Sequence, residues 1–143
     1  MAKPTRRMAL LGRLARLREV ERQQAASSAA QAHGAHHKLV QLHARSSEIA
    51  AGHAARKEAA TGEDLGAQLR FLAGLDAIMR DTRAAEVEAL RMAERALTHL
   101  RQAERRRDRV TERLGEERRI ADRGILARES AASAILARKL KGS

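Results

Sequence analysis

The sequence predicts an all-α chain: two long helices folded back on each other as an antiparallel coiled-coil hairpin. Three observations predict it. Ala, Leu, Arg and Glu, all strong helix formers, dominate the 143 residues. Phe71 is the only aromatic residue and there is no Trp or Tyr, so a compact globular core would lack the side chains that usually fill one. Leucine and other apolar residues recur at steps of three and four, the spacing of a stripe on a helix.

The elements follow in order. Pro4 is the only proline, and from Thr5 onward nothing forbids helix. The best break falls at Thr61-Gly62-Glu63-Asp64, where Gly62 loosens the chain and Thr61 with Asp64 fits a capping box. The expected bounds are therefore helix one over about 5–58, a turn over about 59–63 and helix two over about 63–138, all in one domain. Helix one carries Leu10, Leu14, Leu17, Ser28, Ala32, Ala35, Leu39, Leu42 and Ile49 as its expected seam. That frame holds only if a stutter, which locally unwinds a supercoil, is allowed at Ser28. Helix two places Leu65, Leu69, Leu72, Met79, Leu90, Ala93, Leu97, Leu100 and Leu114 on one frame, flanked by Leu75, Ile78, Val87 and Val110. Its weak stretch is 76–86, where Arg83 and Glu86 fall on the seam. Neither stripe can be buried alone, and a short turn makes the helices antiparallel neighbours. Folding near residue 61 pairs residue i with about 122 − i, setting Leu72 against Ile49 and Leu114 against Met8. Gly52, Gly62 and Gly66 argue against one continuous helix in a parallel dimer.

The net charge of +11 is unevenly placed. Residues 1–22 hold seven Lys or Arg and two acids, and residues 23–100 hold nine of each. Residues 101–123 hold nine Arg and six acids, and residues 124–143 hold four basic residues and one acid. A hairpin gathers the surplus where the termini meet and leaves the turn end neutral. Such a basic end asks for an acidic partner: an acidic protein surface, nucleic acid or anionic lipid. The block 101–123 reads as a solvated helix, with Asp108, Glu112 and Glu116 set against Arg109 and Arg113. It has no aromatic on which bases could stack, which counts against nucleic acid. The cluster Arg6, Arg7, Arg13, Arg16 and Arg18 has fewer compensating acids and is the better contact surface.

Catalysis finds no support. Without cysteine there are no disulfides or thiolate metal sites. His33, His36 and His37 have no acid closer in sequence than Glu48 to complete a metal site, so no metal or other cofactor is expected. The serines lack His and Asp neighbours on a rigid frame, there is no phosphate-cradling glycine loop, and a two-helix architecture offers no enclosed pocket. No small-molecule substrate is therefore expected. No apolar run has the length of a membrane span or the form of a signal peptide, so the expected location is cytoplasmic. The more pointed feature is apolar. Phe71, Leu75 and Ile78 after the turn, with Leu39, Leu42 and Ile49 before it, form a cluster that either seals the seam or binds a partner.

The layout resembles the FliJ family of flagellar export proteins and, more distantly, the YscO-like stalk proteins of type III secretion. The resemblance rests on a shorter first helix, a turn near residue 60, a longer second helix, Leu39-x-x-Leu42, and Phe71-x-x-x-Leu75-x-x-Ile78. It departs in arm one, where many relatives have aromatics and this chain has Arg45 and Ile49. The resemblance implies a non-enzymatic stalk at the cytoplasmic face of the inner membrane. Its basic end would enter a hexameric export ATPase through Arg6, Arg7, Arg13, Arg16 and Arg18. Its turn end would meet an export gate protein through Leu39, Leu42, Phe71, Leu75 and Ile78. Some family members also bind export chaperones. The alternative from a different class is a basic coiled coil that binds nucleic acid or a membrane surface.

Overall fold

The computed structural model of the chain describes residues 3–55 and 61–142. It is an all-α hairpin of two helices, α1 (Arg6–Ala55) and α2 (Gly62–Lys141), with no strand among the described residues. Both starts are capped by threonine. The Met8 N–H donates to Thr5 Oγ1 at 3.1 Å, and the Asp64 N–H donates to Thr61 Oγ1 at 3.2 Å. Each hydroxyl thus satisfies a donor that the first helical turn leaves open. Glu63 and Asp64 in the first turn of α2, and Arg138, Lys139 and Lys141 in its last, complement the helix dipole. α2 runs three residues beyond the expected 138. The last expected residues of helix one, 56–58, and the expected turn residues 59 and 60 lie outside the described residues.

The chain forms two compact units, and both helices contribute to each. The first unit comprises Met1–Gln24 with Arg101–Ser143. Its α1 face turns Met8, Leu11, Ala15, Arg18 and Arg22 inward, toward Ala103, Arg107, Val110, Leu114, Glu117 and Ala121 of α2. Ala103 and Leu114 are its buried core. The second unit, Ala25–Leu100, pairs Ala25, Ala29, Ala32, His36, Leu39, His43, Ser46, Ala50 and His53 with Leu72, Leu75, Met79, Thr82, Glu86, Ala89, Ala93 and Ala96. Ser46 and Thr82 are its most buried residues. Within each unit the sequestered residues step by alternating threes and fours, the 3.5-residue period of a left-handed supercoil.

This seam differs from the expected one in α1. Leu10, Leu17, Leu42 and Ile49 are exposed, and only Ala32 and Leu39 of the expected frame lie on the observed seam, with Leu14 half-buried beside it. The physical reason is regularity. The leucine-rich frame needed a stutter at Ser28. The observed frame keeps the three-four alternation, accepts alanine at close approach and lets long arginine stems lie along the interface. In α2, Leu72, Met79, Ala93, Leu100 and Leu114 take their expected places. Leu65, Leu69, Leu90 and Leu97 are exposed, and the expected flankers Leu75 and Val110 sit in the seam.

Register is also shifted. Arg7 meets Glu117 and Glu19 meets Arg107 in the first unit, and His53 meets Phe71 in the second. These pairs have residue numbers summing to 124, 126 and 124 where 122 was expected, a displacement of about one helical turn or less.

Candidate interaction surfaces

The first unit carries a half-buried ionic cluster along its seam. Glu19 accepts two hydrogen bonds from Arg22 Nε at 3.1 Å and a third from Arg22 Nη2 at 2.8 Å. From the other helix Arg107 Nη1 donates to Glu19 Oε2 at 3.4 Å, while Arg107 Nη2 donates to Asp108 at 3.0 Å. The hydrogen bond from the Arg22 guanidinium holds the Glu19 carboxyl below its ordinary value, partial burial opposes it, and Arg107 adds a smaller lowering. Arg22 is raised by its bond to Glu19, and Arg107 first by Asp108 and then by Glu19. Arg7 Nε lies 3.2 Å from Glu117. Polar groups on a coiled-coil seam specify register at some cost in stability, and these charges are placed to do so here.

Of the five N-terminal arginines expected to form a contact surface, Arg6, Arg7, Arg13 and Arg16 are exposed. Arg18 is half-buried on the seam, where it donates to Glu21 at 2.8 Å and its Nε is buried with no hydrogen-bond partner among the described residues. Arg6, Arg13 and Arg16 carry no ion pair among the described residues, and they belong to the same unit as every surplus charge. That unit holds twenty Lys or Arg against nine acids, and the other holds nine of each. The expected i,i+4 lattice of 101–123 gives way to Arg107 bonding its neighbour Asp108 and reaching across to Glu19.

The apolar cluster lies wholly in the second unit. Leu39 and Leu75 are half-buried in the seam, whereas Leu42, Phe71 and Ile78 are exposed, the last two at 45% and 50%. His53 covers one side of Phe71, with ring centroids 4.5 Å apart and planes at 48°. Phe71 therefore both closes the seam and shows a face to solvent.

Sequence reasoning missed Arg22 and Arg107 as seam residues, Glu19 beside them, and the seam histidines His36, His43 and His53. Testing every three-four frame for continuity, without requiring apolar residues, would have found all of these but Glu19. The three histidines considered as metal ligands diverge: His36 is half-buried while His33 and His37 are exposed. Among the described residues no group of three or more His, Asp or Glu is arranged to hold a metal. Open grooves flank the second seam. One of about 340 Å³ is lined by Ala25, Ser28, Met92, Arg95, Ala96 and His99, with no carboxylate among its lining residues to orient the imidazole. Among the described residues no helix is long and apolar enough to cross a membrane.

No family model, no curated protein and no solved structure matches the chain.

Proposed function

We propose that the chain is a non-enzymatic adaptor that joins two protein partners of different chemistry. The first unit engages an acidic partner through Arg6, Arg13 and Arg16, supported by Arg7 and Arg18. The second presents Leu42, Phe71 and Ile78, anchored by Leu39 and Leu75, to a less polar partner. One observation carries this reading: the boundary between the compact units coincides with the boundary between the +11 and the neutral part of the chain. A charge so confined gives orientation and speed of encounter with an acidic surface, while a neutral apolar patch supplies contact without steering.

In the FliJ-like version, which the layout supports, the acidic partner is the ring of a hexameric export ATPase and the apolar one is the export gate protein. Export chaperones are further candidates. The chain would then work as a stalk beside the cytoplasmic face of the inner membrane.

The test is binding of the full chain to an export ATPase hexamer. Arg13→Glu with Arg16→Glu should weaken binding by roughly tenfold or more, because rim charges steer association and like-charge contacts repel. Unchanged binding would refute the assignment of the surface. A gel shift with duplex DNA in moderate salt addresses the rival class: retained binding with a steep salt slope would favour nucleic acid.

A further inference from the structure

The last turns of α2 form a surface that the adaptor reading does not use. Residues 126–142 are all exposed, although the helix continues to Lys141. The three most exposed large apolar residues described are here: Leu126 at 64%, Leu136 at 61% and Leu140 at 76%. On a helix of 3.6 residues per turn, Ile125, Leu126, Ala132, Leu136 and Leu140 share about one third of the circumference. Arg128 and Lys139 border this stripe on one side and Lys141 on the other, with Arg138 behind. Beyond Glu129 the sequence has three basic residues and no acid.

From this placement we infer that residues 125–141 form a basic amphipathic helix that lies on an anionic lipid surface. The charge is complementary to phosphate headgroups, and the flanking lysines have aliphatic stems that reach outward from a shallowly buried stripe. The spacing separates this stripe from the coiled-coil seam. Continuing the seam that serves α1 would require Gly124, Arg128, Ala131, Ile135 and Arg138, which leaves Leu126, Leu136 and Leu140 off it. Ala132, Leu136 and Leu140 instead follow one another within about a quarter of the helix circumference. Glu129 falls within the stripe and opposes binding.

The test is sedimentation of the full chain with vesicles of phosphatidylcholine alone or mixed with phosphatidylglycerol. The chain should sediment with the mixed vesicles and not with phosphatidylcholine alone. Leu136→Gln with Leu140→Gln, and separately Lys139→Gln with Lys141→Gln, should each reduce partitioning by roughly tenfold or more while circular dichroism shows the helix retained. Glu129→Gln should strengthen it. Absence of sedimentation with phosphatidylglycerol would overturn the inference. So would sedimentation indifferent to the leucine substitutions, which would mean diffuse attraction to the basic unit, or protection of the segment by an acidic protein without vesicle binding. The vesicles contain no protein, so this result and that of the ATPase experiment stand or fall separately.

Discussion

The two compact units have the same two-helix construction and opposite surface chemistry. The first closes on Ala103 and Leu114, threads Arg18, Arg22 and Arg107 through its seam, and carries the whole charge surplus. The second is neutral, closes on alanine with Ser46 and Thr82, and leaves large apolar residues such as Leu42, Phe71, Ile78 and Leu90 outside. The contrast teaches that a coiled-coil seam does not have to collect the largest apolar residues. It needs a continuous frame, and what stays outside is then available for partners.

Four substitutions sharpen or break that comparison. The largest effect should come from Leu114→Ala, which removes the one large apolar side chain buried among the described residues; about 2–3 kcal/mol of unfolding free energy should be lost in a denaturant titration. Leu17→Ala, on the face once expected to be the seam, should cost under about 0.5 kcal/mol in the same titration. Equal costs at the two sites would dissolve the assignment of the seam. Gly74→Ala should stabilise the second unit by about 0.5–1 kcal/mol, since the glycine has no positive φ and an added Cβ meets nothing within 4 Å.

The smallest effect is a pH dependence. The Glu19 carboxyl titrates lower in the folded chain than unfolded, so its contribution is present above the unfolded value and fades as pH falls through the folded one. Thermal midpoints of the native chain and Glu19→Gln should therefore differ at neutral pH and converge on acidification below the carboxylate range. A constant difference would assign Glu19 a packing role alone.

Much of the fold was legible from the sequence because its signals are local. Thr5 and Thr61 with the glycine at 62 mark the helix starts, and a break near residue 61 implies antiparallel pairing. The α2 seam was half legible, since Leu72, Met79, Leu100 and Leu114 are large, regularly spaced and inward. The α1 seam was not. Counting leucines selected Leu10, Leu17, Leu42 and Ile49, whereas burial followed Ala15, Ala25, Ala29, Arg22 and His43, whose identities carry no hydrophobic signal. The basic cluster was visible in composition, but the withdrawal of Arg18 to the seam depended on a phase that composition does not contain.

The central claim is that the surplus charge of one unit is what a protein partner reads. Hydrogen exchange of the full chain, free and bound to an export ATPase hexamer, tests it most directly. The account predicts new protection confined to residues 6–24 and 101–123. Protection centred on residues 25–100, or none in either segment, would contradict it.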